Sequence, residues 1–234
     1  MYRTLLFDLD GTLLDLDMNI FLPIYFRALT KRFADIIDPE EFIHSLLAST
    51  EAMIGNKDPG VTNEEAFMAD FVPRVPLSKE ALLPLFMDFY QNDFADLSKH
   101  SRTKPLARKT IQCALDKGLE VVIATNPVFP RLAVEQRLKW ADVAGFPYRL
   151  VTSYEIMHFC KPHSEYYAEI LTRLGRRASE CLMIGNDVQE DLSARDVGIE
   201  TFLLKDQLIN RTNEAPLTEF QGHMEDLYRF VQKL

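Results

Sequence analysis

A chain of 234 residues with 47% hydrophobic content is long enough to bury a full core and carry a smaller second domain. Its formal charge of −9 opposes non-specific association with nucleic acid or anionic membrane, both of which rely on clustered Lys and Arg. No apolar run approaches the roughly 20 residues that span a bilayer, and Leu5-Leu6-Phe7 is cut short by Asp8, so a cytoplasmic protein is expected.

Tyr2 to Leu9 is β-prone and apolar and stops at Asp8-Leu9-Asp10-Gly11-Thr12, which reads as a buried strand feeding a loop. From about Asp15 to Leu97 the pattern turns helical, at 20–33, 39–50, 63–71 and 78–93, with breaks at 55–60 and 72–76 and no convincing strand. The aromatic residues there, among them Phe21, Tyr25, Phe26, Phe33, Phe86, Phe89 and Tyr90, are read as core. Further strands are expected at 119–124, 181–184 and 200–204, with a weaker one at 148–152. Helices over about 105–117, 129–139, 164–174 and 189–197 alternate with them, and Gly118, Gly175 and Gly198 stand where helix caps belong. This alternation predicts an α/β, Rossmann-like three-layer core around a parallel sheet, with an all-helical domain inserted after the first strand. The expected division is 1–14 and 98–234 for the core and 15–97 for the insert.

Ligands of open parallel sheets bind beyond the carboxyl ends of the strands. The polar residues there form a coherent set: Asp8 and Asp10 after the first strand, Thr125 and Asn126 after the second, Asn186 and Asp187 after the fourth. Lys161-Pro162 precedes the helix that begins near Ser164. Two carboxylates two residues apart can converge on one hard cation, and oxygen ligands of this kind suit Mg2+. Such crowded negative charge is costly unless a cation binds or a proton is shared. A carboxylate can also attack phosphorus, splitting one difficult displacement into two easier ones. Metal, lysine and hydroxyl or amide donors then supply neutralisation and positioning.

In these motifs the chain resembles the haloacid dehalogenase-like hydrolase superfamily: Asp8 to Thr12, then Thr125, then Lys161-Pro162, then Gly185-Asn186-Asp187-Val188-Gln189-Glu190-Asp191, in that order. The resemblance implies a Mg2+-dependent phosphatase acting on a small phosphorylated metabolite through an aspartyl phosphate on Asp8. Asp10 would serve as general acid and base and give a main-chain ligand to the metal. Thr125 and Lys161 would hold phosphoryl oxygens, Asn126 would orient the substrate, and the insert would be a mobile cap. Many relatives have Gly-Asp where this chain has Gly185-Asn186, so the third metal ligand is either Asn186 or Asp187, with Asp191 in support. An amide in place of a carboxylate predicts weaker metal binding.

Simpler roles compete at several positions. Asp191 fits the first turn of a helix, where acids complement the dipole. Asp15 and Asp17 are read as solvated or capping residues, whereas Lys57, in the Gly-rich turn of the insert, is a candidate for reaching the substrate from above. Cys113, Cys160 and Cys181 are odd in number and lack metal-ligand spacing, so each is expected to be a buried thiol; Cys160, beside Lys161, is also weighed as a nucleophile. Rival functions are a phosphomutase of the same family and a non-catalytic phosphate-binding scaffold. Asp10 argues against a dehalogenase, and the position and spacing of the acids argue against a receiver-like signalling domain. A monomer or small homo-oligomer is expected.

Overall fold

Every residue of Thr4–Phe7 (β1) is buried, as befits a strand covered on both faces. The structure, a computed structural model, describes residues 1–234. The remaining strands are β2 (Leu14–Asp15), β3 (Arg102–Thr103), β4 (Glu120–Ile123), β5 (Leu150–Val151), β6 (Cys181–Gly185), β7 (Glu200–Leu204) and β8 (Phe220–Gly222). Six of them form a sheet in the order β5-β4-β1-β6-β7-β8, with every pair parallel. The chain steps from β1 out to β4 and β5, then crosses back to build β6, β7 and β8 on the other side. That reversal opens a crevice at the carboxyl ends of β4, β1 and β6.

Side-chain alternation along the strands makes two apolar layers. Leu5, Phe7, Val121, Ile123, Leu182 and Ile184 face the larger cluster, whereas Leu6, Val122, Ala124, Cys181 and Met183 face a smaller one. The helices are α1 (Met18–Thr30), α2 (Pro39–Gly55), α3 (Asn63–Phe71), α4 (Lys79–Asp88), α5 (Ala107–Asp116), α6 (Arg131–Trp140), α7 (Ser164–Leu174) and α8 (Met224–Lys233). Ala107, Ile111 and Ala114 of α5 and Leu227 and Val231 of α8 fill the larger layer, and Tyr166, Tyr167 and Ile170 of α7 the smaller.

Residues 18–100 carry only helices, and the antiparallel pair β2–β3 joins the points where the chain leaves and returns. Local chemistry starts these helices: Asp17 caps α1, Asp38 caps α2 ahead of Pro39, and Thr62 with Glu65 forms a capping box on α3. Phe21, Phe33 and Phe89 are fully buried, and Phe94 stacks on Trp140 of α6 at 5.0 Å. Polar contacts add to this apolar seam. Asn63 N donates to Met157 O at 2.8 Å and Glu64 N to Tyr154 O at 2.9 Å, docking the start of α3 on the sheet domain.

Several expectations need correction. The helix expected over 78–93 ends at Asp88 and continues as a π turn, Phe89–Asp93, then a 3₁₀ segment, Phe94–His100, which together aim Phe89, Tyr90 and Phe94 inward. The stretch 189–197 is not an α-helix but a 3₁₀ turn, Leu192–Val197, preceded by Glu190 and Asp191, which line the crevice. The sixth strand β8 and the terminal helix α8 were not anticipated.

Candidate active site

Asp8 is the first residue beyond β1. Its N–H donates to Ile184 O at 2.9 Å, and Ala124 N donates to Phe7 O at 2.7 Å, so both neighbouring strands fix the backbone at this point. The next residues fold tightly, with Thr12, Leu13 and Leu14 N–H groups all directed at Leu9 O. Gly11 makes the turn at φ +82°, and a Cβ there would lie 2.9 Å from Asn186 Cγ; glycine is needed for both conformation and space.

Lys161 reaches the site from the loop before α7, with its side chain fully buried. Its ammonium donates to Asp8 Oδ1 at 3.0 Å and to Asp191 Oδ1 at 2.6 Å. Burial alone would push this lysine toward neutrality, but Asp191 and Asp8 together outweigh it and hold the pKa well above its ordinary value. Asp191 is anchored a second time, because its Oδ2 accepts from Asp187 N at 2.9 Å. Gly185 leaves room for that carboxylate: a Cβ there would lie 2.6 Å from Asp191 Cβ.

Asp10 is held by a residue that the motifs do not contain. Arg137, 1% exposed, pairs through Nη1 with Asp10 Oδ2, donates from Nε to Ala133 O at 3.3 Å, and lies 4.5 Å above the Phe129 ring. Burial raises the Asp10 carboxyl, the Arg137 charge opposes the shift, and the neighbouring Asp8 charge adds to it. Asp10 Oδ1 and Arg137 Nη2 are both buried with no protein partner.

Beyond β6, Asn186 is fully engaged: its amide oxygen accepts from Thr12 Oγ1 at 2.9 Å and its Nδ2 donates to Gln207 O at 2.7 Å. Asp187 accepts from Gln189 N and Glu190 N, both at 3.0 Å, and pairs with Arg211 at 2.7 Å. Asn126 links the two sides of the crevice, donating to Glu190 Oε2 at 3.2 Å and accepting from Lys161 N at 3.2 Å. Thr125 is 3% exposed, and its carbonyl accepts from Thr152 Oγ1 and Tyr166 OH.

Seven of the eight residues singled out in the motifs, Asp8, Asp10, Thr125, Asn126, Asn186, Asp187 and Asp191, line one cavity of about 230 Å³, and Lys161 bonds two of them. Two charged residues join them without a motif to announce them, Arg137 and Arg211, and Glu190 of the last motif lines the cavity too. An arginine in the buried stripe Ala133, Val134, Arg137, Leu138 of an amphipathic helix was the one readable sign. Lys57 is not brought to the cavity; its ammonium pairs with Glu165 at 3.1 Å on the surface. Asp17 is the cap of α1, and Asp15 accepts from Gln207 Nε2 at 2.5 Å. Burial pushes the Cys160 thiol up to about 12, which removes it as a nucleophile at neutral pH, and Cys113 is only half-buried.

No three His, Cys, Asp or Glu side chains gather closely enough to hold a metal ion by themselves. The wider donor set nevertheless suits a hard cation: the Asp8 carboxylate, the Asp10 main-chain carbonyl, and oxygens of Asn186 and Asp187 are all hard ligands. Five acids, Asp8, Asp10, Asp187, Glu190 and Asp191, meet three cations, Lys161, Arg137 and Arg211, so the formal excess is two negative charges. One divalent ion would neutralise it.

A sequence model of the haloacid dehalogenase-like hydrolases matches residues 2–198. The chain is 35% identical over 101 residues to the ribulose-1,5-bisphosphate 5-phosphatase of Halopiger xanaduensis, a match covering 42% of this chain and 41% of that one. It is 25% identical over 205 residues to the pyrophosphatase PpaX of Anoxybacillus flavithermus, covering 85% and 81% of the two chains. Its fold is shared with YfnB of Bacillus subtilis, determined bound to magnesium, at a TM-score of 0.58, 20% identity and 98% coverage of both chains.

Proposed function

The chain belongs to the haloacid dehalogenase-like hydrolases, and from that premise we propose that it is a Mg2+-dependent phosphatase of a small phosphorylated metabolite, with Asp8 as nucleophile. One observation carries this reading. Asp8 Oδ1 is held by the buried ammonium of Lys161, and the residue lines the crevice at the switch point of the sheet. The relatives named for pyrophosphate and ribulose bisphosphate support phosphoryl chemistry.

In the first step an Asp8 carboxylate oxygen attacks phosphorus and the ester P–O bond breaks. The leaving oxygen takes a proton from Asp10, which lines the same cavity and whose Oδ2 is held by Arg137. In the second step water attacks the phosphorus of the aspartyl phosphate, its proton passes to Asp10, and phosphate departs. The Thr125 hydroxyl and the Lys161 ammonium hold the phosphoryl oxygens, and Lys161 also keeps Asp8 and Asp191 from repelling each other. Mg2+, held by Asp8, the Asp10 carbonyl and an oxygen from the 186–187 turn, would neutralise charge on the transferring group. Residues 15–97 would act as a cap that excludes water from the first step.

Hydrolysis of ethyl phosphate with and without Mg2+, by wild type and Asp8→Asn, tests the reading. Metal-dependent turnover that is lost in the variant is expected; equal rates in the two proteins would leave only a binding scaffold.

A further inference from the structure

A second cavity of about 190 Å³ lies between the helical insert and the sheet domain, and 13 of its 15 lining residues are hydrophobic. Met18, Leu22, Val128 and Phe129 line both this cavity and the one that contains Asp8, so the two share an apolar wall. No charged side chain lines it. Of its four hydroxyls, those of Tyr25 and Tyr90 bond each other at 2.7 Å and Thr50 Oγ1 donates to Leu46 O at 2.8 Å, which leaves Tyr154. Some of the aromatic side chains that sequence assigns to the core, Tyr25 and Tyr90 among them, thus also wall a space.

Resting on the phosphatase reading, we propose that this cavity receives the leaving group of the substrate and that the group is apolar, the aryl or aliphatic arm of a phosphomonoester. A second phosphate would enter a chamber with no cation and few free donors, and a buried charge without partners is prohibitive. The arginines nearby do not line this chamber: Arg137 and Arg211 both belong to the Asp8 cavity. Size agrees with the chemistry, because apolar cavities of about 150 Å³ already admit benzene. Met18, unbranched and pliable, stands in the shared wall where the arm would pass.

The inference separates this chain from the pyrophosphate and bisphosphate activities for which its relatives are named. The test is a series of alkyl phosphates, ethyl through pentyl, assayed with Mg2+ beside benzyl phosphate, glycerol 3-phosphate and pyrophosphate. These alkyl leaving groups differ little in basicity, so kcat/KM reports burial. We expect a rise of roughly fourfold per methylene (about 0.8 kcal/mol) and at least about tenfold preference for benzyl over glycerol phosphate. Leu46→Trp, which fills the chamber without touching the Asp8 cavity, should collapse the ratio of benzyl to ethyl phosphate, a quantity that general loss of activity leaves unchanged. A flat series, or pyrophosphate as the best substrate, overturns the inference and spares the phosphatase reading. No turnover of any ester overturns both.

Discussion

Replacing Arg137 by Met keeps the apolar stem but removes the guanidinium from a place where both partners of the ion pair are nearly inaccessible, Arg137 at 1% and Asp10 at 13% side-chain exposure. Breaking a buried pair from one side costs about 3–5 kcal/mol, and the slight access of Asp10 to solvent favours the lower end, about 3 kcal/mol. In a chain of this length that is a fall in Tm of about 6–12 °C. The loss depends on pH with a definite sign. Folding already raises the Asp10 carboxyl through burial, and removing the opposing arginine raises it further. A raised acid supports the fold below its unfolded pKa, about 3.9, and loses that support as pH climbs through the folded value. Thermal melts in EDTA should therefore show Arg137→Met close to wild type near pH 4 and fully destabilised at pH 8. Asp10→Asn strands the arginine instead, and the double variant strands neither, so the cycle should show a coupling of about 3 kcal/mol. Equal deficits at both pH values, with additive single variants, would refute the argument that this pair is a buried ionic one.

Two further outcomes follow from groups around the site. Burial lifts Cys160 to about 12 and Cys181 to about 11, so at pH 8 only about one molecule in ten thousand and one in a thousand, respectively, carries the thiolate. Titration with a disulfide reagent should modify at most Cys113 in the native protein and all three thiols after denaturation; rapid labelling of Cys160 would contradict its placement. Asn186→Asp is expected to leave Mg2+ affinity unchanged by calorimetric titration, because the amide is occupied by Thr12 and Gln207, and to lower stability by about 1–3 kcal/mol by setting a carboxylate against Gln207 O. Tighter metal binding in that variant would restore Asn186 as the third ligand position.

The legible part of this molecule is the part whose direction the backbone fixes. A residue one to three steps past a buried parallel strand emerges at the sheet's carboxyl edge, so the positions of Asp8, Thr125, Asn126, Asn186 and Asp187 could be read from where apolar runs stop. The strands over 200–204 and the helices over 63–71 and 164–174 were equally clear because their apolar periods and caps agree. Phe220–Gly222 was not, since three residues carry no period and become a strand only by pairing with β7. The same reasoning explains the hidden cations. Arg137 sits on a helix, where an arginine ordinarily snorkels to solvent, and only the packing of α6 against the crevice turns it inward. Arg211 lies in a loop with no period at all and meets Asp187 through the path of residues 205–219.

The division has a chemical consequence. The strand ends deliver the acids Asp8, Asp10 and Asp187 among neutral polar groups, and the elements around them deliver Lys161, Arg137 and Arg211, each already bonded to one of those acids. In such a site the cations do not exceed the acids, so Lys161 can bond a phosphoryl oxygen but cannot neutralise a doubly charged group. Incoming negative charge must therefore be met by a bound divalent ion or by displacing an acid from its partner. Asp187 is the acid best placed to be exchanged, because its partner Arg211 is 54% exposed and can return to water, whereas Lys161 cannot. Turning Asp187 from Arg211 toward a cation would supply the missing ligand and free a guanidinium at the mouth of the crevice in a single movement. On this argument we propose Asp187 as the third ligand, with the amide of Asn186 bracing the loop at Thr12.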